Sequence, residues 1–145
     1  MKIVSEDRKS FIEIAFIEAE KERMPSINVT VTIQNEGFAG DLNSTWIKID
    51  ELNNFLSCMD EIDIKRSGIA HLCSMSPCEF LLDFETFDKS GHIKVVYSIT
   101  KYISYPYFRE LSLNGVFDID SSEFSDIVKS FRKLIVSGLA RNMEL

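Results

Sequence analysis

The chain lacks most of what would make its function obvious. No apolar stretch approaches the ~18 unbroken residues of a membrane-crossing helix, so a helical span is not expected. Basic residues are scarce: 16 Lys and Arg stand against 23 Asp and Glu, giving a net charge of −7. That is the wrong sign for holding a phosphate backbone, so no direct nucleic-acid binding is expected. There are only two histidines and three cysteines. No phosphate-binding glycine loop, dinucleotide fingerprint, His-x-x-x-His pair, Cys-x-x-Cys pair or Gly-x-Ser-x-Gly elbow occurs. Residues 1–9 are charged throughout, without the apolar segment of an export signal. The expectation is a cytoplasmic protein whose Cys58, Cys73 and Cys78 are free thiols.

What remains is ordinary globular composition, 45% hydrophobic and 27% charged over 145 residues. A chain of this size buries roughly 70% of its unfolded surface and needs neither disulfide nor metal to fold. No repeat, low-complexity tract or long linker divides it, so residues 1–145 are read as one domain, with residues 1–9 and 138–145 expected to fray.

Period-2 alternation marks the strands. Residues 10–18 carry apolar side chains on both faces, as a central strand does. Residues 27–34 put Ile27, Val29, Val31 and Ile33 inward and Asn28, Thr30, Thr32 and Gln34 outward. A strand over residues 38–47 is interrupted near Gly40 and recovers at Trp46, which predicts a bulge or wide hairpin. Asp50 is placed as the N-cap of a helix to about Ile62, whose apolar stripe is Leu52, Phe55, Leu56, Met59 and Ile62. Lys65-Arg66-Ser67-Gly68, basic residues followed by a Gly, is expected to end it. Further strands follow at residues 69–73, 79–87, 92–100 and 111–119, with a turn at residues 88–91 and a Pro-containing loop or edge at 102–108. Asp120 and Glu123 suggest an acidic capping box before a second helix bearing Phe124, Ile127, Val128, Phe131, Leu134 and Ile135, closed by Gly138. The fold class is α+β: a six- to seven-stranded, largely antiparallel sheet with two amphipathic helices packed on it.

Candidate chemistry is thin. His71, Cys73 and Cys78 match no common zinc spacing, and no metal or other cofactor is expected. A thiol nucleophile served by His71 would need an electropositive setting that this chain hardly offers. His92 beside Asp88 reads first as a histidine fixing a hairpin, and Asp83 with Glu85 as a solvated strand face. No catalytic residues are assigned, which favours a binding protein over an enzyme. A small-ligand pocket lined by Trp46, Phe84 and Tyr97 is the alternative.

The acids are bunched. Six fall in residues 41–63 against Lys48 alone, and five in residues 110–126 against no base. The tyrosines are bunched too: all four lie in residues 97–107, and tyrosine favours interfaces because it covers area at low conformational cost. Charge and aromatic content together nominate Asp60, Glu61, Asp63, Asp118, Asp120, Glu123, Asp126, Tyr105 and Tyr107 as partner-binding residues.

Several segments resemble the WapI-type immunity proteins, bacterial antidotes to polymorphic contact-dependent toxins. They are Phe11-Ile12-Glu13-Ile14, Glu36-Gly37-Phe38-Ala39-Gly40, Trp46, Leu52 with Phe55 and Leu56, Gly68-Ile69-Ala70-His71-Leu72, Ser74-Met75-Ser76-Pro77 with Glu79-Phe80, and Asp88-x-x-Gly91-His92. They span residues 11–95, about 60% of the chain. The resemblance implies a cytoplasmic, non-enzymatic inhibitor that binds the C-terminal domain of a cognate toxin, a nuclease in the simplest case. Such a toxin is basic because it holds nucleic acid, and an acidic antidote suits it. The resemblance assigns no toxin-contact residue. It gives Gly37, Gly40 and Gly91 turn roles, Trp46 and Phe80 core roles, and Pro77 the start of a strand.

Overall fold

The computed structural model describes residues 1–141. Strands β1 (Lys2–Val4), β2 (Phe11–Glu20), β3 (Ser26–Asn35) and β4 (Phe38–Lys48) form one antiparallel sheet in chain order. Helix α1 (Ile49–Lys65) leads to a second, made of β5 (Ile69–Cys73), β6 (Phe80–Thr86), β7 (Ile93–Ile103) and β8 (Arg109–Ile119), again in chain order. A 3-10 turn at Ser121–Glu123 then opens helix α2 (Phe124–Arg141).

The α+β class agrees with the sequence pattern, but the single sheet of six or seven strands is instead a pair of four-stranded sheets. Alternation reveals which face of a strand is apolar and is silent on which strand lies beside it. Here α1 stands between β4 and β5 in the chain and packs chiefly on β5, so those two strands never pair. Both sheets turn an apolar face to one core. The first sheet supplies Ile3, Ile12, Ile14, Val29, Val31 and Ile33, and the second supplies Leu72, Phe80, Leu82, Phe84, Val95 and Phe117. The helices close that core. Phe55 of α1 and Phe124 and Phe131 of α2 surround Phe84, with ring centres 5.9–6.2 Å from it and edge-to-face or tilted geometry.

Hydrogen bonds join the two sheets at three places. The Met75 amide donates to the Trp46 carbonyl (2.8 Å), and the Glu6 amide donates to the Asp118 carbonyl (2.8 Å). At the third, Asn35 Nδ2 donates to the Tyr97 hydroxyl (2.8 Å) and the Val116 carbonyl (3.2 Å). Gly115 has no side chain because none fits: a Cβ there would lie 2.6 Å from the Tyr97 hydroxyl oxygen.

The predicted bulge in β4 is present. Val29 and Val31 of β3 face Thr45 and Leu42, so β4 carries one extra residue over that step. Other local expectations need correction. Residues 1–9 are not frayed: β1 pairs with β2, Ile3 is fully buried, and the N-terminal amine donates to the Ile14 carbonyl at 2.8 Å. Asp50 is not the N-cap of α1. The helix begins one residue earlier and the Ile49 amide is satisfied by the Pro25 carbonyl, leaving Asp50 and Glu51 in the first turn, where the helix dipole favours acids. The other end agrees with the sequence: the helix stops at Lys65, Arg66 is left-handed, Gly68 follows with φ +128°, and the Arg66 guanidinium reaches the Ser121 carbonyl. Gly138 does not close α2, which runs to Arg141; it sits against Phe16 and Ile27, where a Cβ would come within 3.0 Å of both. The expected fraying of residues 142–145 lies outside the described residues. Gly40 serves close packing against Leu113 and Ile99 rather than a turn, and Trp46 is only half-buried, whereas Phe80 is core.

Candidate partner-binding surface

The nominated acidic residues, on α1, the end of β8, the 3-10 turn and α2, divide into two groups. Asp60 pairs with Arg132, which joins α1 to α2. Asp63 accepts from the Ser125 hydroxyl (2.9 Å) and lies 3.6 Å from Arg66. Asp120 accepts from the amide (3.0 Å) and hydroxyl (2.8 Å) of Ser122, capping the 3-10 turn. Glu123 does not reach back as a capping box requires; it pairs with Arg8 and ties the N-terminal arm to α2. These four carboxylates face cations or donors of their own chain, so much of their charge is already answered. Glu61, Asp118 and Asp126 are exposed and enter no ion pair among the described residues.

Tyr105 and Tyr107 occupy the tip of the β7–β8 hairpin, at residues 104–108. Tyr105 is 85% exposed and Tyr107 64%. The structure adds neighbours that charge and composition had not singled out. Tyr102 stacks on Phe108 with ring centres 6.0 Å apart, Phe108 is 68% exposed, and Leu111 follows on β8. Arg109 lies over the Tyr107 ring at 5.1 Å and donates to the Tyr105 carbonyl at 3.2 Å, so the tip's one cation is engaged in holding its own loop. An aromatic run around Pro106 without clean alternation was the available signal. β7 itself extends to Ile103, beyond the strand end expected at Thr100.

The other candidates are separate from this surface and from one another. Trp46, Phe84 and Tyr97 do not line one pocket. Phe84 is buried in the aromatic core, Tyr97 is buried against Phe117, and Trp46 lies on the other sheet beside a depression of about 590 Å³ rimmed by Met24 and Met75. His71 on β5 pairs with Asp83 opposite it on β6, and the Cys73 sulfur is 3.4 Å from His71 Nε2. The alignment looks like a nucleophile with its base, yet partial burial, together with Glu51 and Asp83, pushes the Cys73 thiol up, which favours the protonated, unreactive form. No group of three His, Cys, Asp or Glu among the described residues is placed to hold a metal ion.

His92 and Asp88 are paired on an exposed hairpin, with Phe87 stacked on the imidazole. Gly91 makes that turn with φ +80° and lets the backbone pass over Arg66. Hydrogen bonding to Asp88, then its charge, raises the His92 pKa above the ordinary 6.5, with smaller help from Glu6 and Asp118. Reciprocally, Asp88 is held below 3.8 chiefly by the His92 hydrogen bond. The histidine's contribution to stability is therefore complete below 6.5 and lost as pH rises through its raised pKa; the aspartate's is present above 3.8 and lost as pH falls through its lowered one. An NMR titration should place His92 above 6.5, and Asp88→Asn should return it toward that value. Identical titrations in the two proteins would show that the pair does not form in solution.

A sequence profile of the immunity protein WapI-like family matches residues 2–137. The chain belongs to this family. No curated protein and no solved structure matches it. Family membership points to toxin neutralisation through binding of a cognate toxin, and the family is generally non-enzymatic. The match extends past the motifs of residues 11–95 to include β1, the β7–β8 hairpin and most of α2. No helix among the described residues is long and apolar enough to cross a membrane.

Proposed function

We propose that this protein binds the basic, nuclease-type domain of a cognate toxin in the cytoplasm and neutralises it by occupying its substrate site, with no bond made or broken. The family match over residues 2–137 is the observation that carries this reading. The net charge of −7 supports the electrostatic part: an acidic surface attracts a basic cleft and competes with nucleic acid for it. The proposed contact residues are Asp60, Glu61, Asp63, Asp118, Asp120, Glu123 and Asp126, together with Tyr105 and Tyr107. Among the acids, Glu61, Asp118 and Asp126 face solvent with their charge unpaired and contribute most to steering, while Asp60, Asp63, Asp120 and Glu123 first hold the fold.

Co-expression is the direct test of the reading. Cells producing the toxin domain encoded beside this gene should grow only when the protein is present. The charge component has its own test, in which Glu61→Lys with Asp126→Lys should slow association with that toxin several-fold at low salt. The difference should shrink as salt shortens the screening length from ~10 Å at 0.1 M to ~3 Å at 1 M. This pair is preferable to reversal at Asp60 and Glu61, which would also break the Asp60–Arg132 link between helices. Unchanged association kinetics would remove the steering argument.

A further inference from the structure

We propose that the open edge of β8, at residues 110–114, receives an extended strand from the toxin, adding a fifth strand to the second sheet beside the aromatic tip. This rests on the toxin-binding reading above and specifies how the partner is held.

The four sheet edges differ in how they are closed. β1 is three residues long. β4 is bulged, carries Asp41 and Lys48, and has its Trp46 carbonyl taken by Met75. β5 is five residues long and lies under α1. β8 is eleven residues long, and Leu111-Ser112-Leu113-Asn114-Gly115-Val116-Phe117 contains no charge and no proline, the two devices that commonly guard an edge. Its free side can be identified. The Val116 and Asp118 carbonyls accept from Asn35 and Glu6, which belong to the other sheet, so residues of this parity point away from β7. Backbone groups alternate sides along a strand, which puts those of Glu110, Ser112 and Asn114 on the same outer side. No hydrogen bond from outside the sheet reaches these three among the described residues.

The space beside that edge is vacant. Depressions of about 270 and 500 Å³ run between the start of β4 and β8, bordered by Phe38, Gly40, Leu111 and Ser112. Phe38 is 70% exposed and Leu111 57%, apolar contacts ready for alternate side chains of an added strand. The rim decides the occupant. Glu36, Asp41, Glu110 and Asp118 flank the edge, and among the described residues only Asp41 has a cation in ion-pair range, Lys101 at 3.5 Å. Pairing with a second copy would bring two acidic rims together, whereas a strand carrying Lys or Arg neutralises them. A basic partner chain therefore fits and a second copy does not.

The experiment is amide hydrogen exchange on the full chain, alone and with a catalytically silenced form of the toxin domain encoded beside its gene. It is paired with binding of Ser112→Pro, which removes one outward N–H and is tolerated on an edge. On complex formation the amides of Glu110, Ser112 and Asn114 should become protected. Ser112→Pro should weaken binding by about 10- to 100-fold, whereas Ser112→Thr should not. Thermal melting reads whether the proline variant keeps its fold, and the exchange result stands without that variant. If the wild type binds the toxin but these amides exchange unchanged, the edge proposal falls and the functional reading survives. If the wild type does not bind, both fall. Protection that appears in the free protein with rising concentration would identify a second copy as the occupant and overturn the basic strand.

Discussion

Phe84→Ala should destabilise the fold by about 3–5 kcal/mol, the range for truncating a fully buried aromatic ring. The position justifies the upper part of that range. Phe84 lies on β6 with no exposed surface, and its ring touches those of Phe55, Phe124 and Phe131, so it is where the second sheet meets both helices. Removing it leaves a void bounded by three large rings on two helices, and the helices and the sheet cannot all close on it at once. Since a domain of this kind has only ~5–15 kcal/mol in total, the variant should sit near the threshold of folding. Urea denaturation should show a lower midpoint with little change in slope. Phe38→Ala is the control: that ring is mostly in solvent and its loss should change stability by no more than ~0.5 kcal/mol. Equal effects of the two substitutions would contradict the description of the core.

The second large effect is on binding. Replacing Tyr105, Tyr107 and Phe108 together by serine should weaken toxin binding by at least about 100-fold, since a buried aromatic anchor at an interface is worth ~2 kcal/mol or more and ~1.4 kcal/mol is a factor of ten. The same variant should melt within a few degrees of the wild type, because all three rings face solvent at the hairpin tip in the free protein. Solution calorimetry against the toxin domain separates the two readouts. An unchanged affinity would show that the tip lies outside the interface and would leave its exposed aromatic surface without a role.

Much of the architecture was legible in the chain itself. The five stripe residues of α1, Leu52, Phe55, Leu56, Met59 and Ile62, are all buried, and so are the six apolar positions named for α2. Ile27, Val29, Val31 and Ile33 are all buried on β3, but Asn28, expected to face outward, is buried as well, its Oδ1 accepting from the Ser44 hydroxyl at 2.8 Å. The larger errors share a physical origin: they concern contacts between residues far apart in the chain. Gly138 reads as a helix stop, but its small size is needed against Phe16 and Ile27, more than a hundred positions away. Asp60 reads as part of a solvated acidic face, but it meets Arg132 on the other helix. The division into two sheets has the same cause, since no local pattern states that β4 and β5 are kept apart. As for the surface, Tyr105 and Tyr107 were visible as composition, whereas the open side of β8 became visible only through the Asn35 and Glu6 contacts that orient it.

The central claim is neutralisation by occupancy, and a stoichiometric titration tests it most directly. Toxin activity should fall linearly as the protein is added and reach zero at a fixed ratio close to one to one. Toxin recovered after the complex is taken apart should have unchanged mass and full activity. Loss of activity at a small fraction of equivalence, or recovered toxin that is cleaved or covalently altered, would mean that the protein acts as a catalyst and would contradict the account.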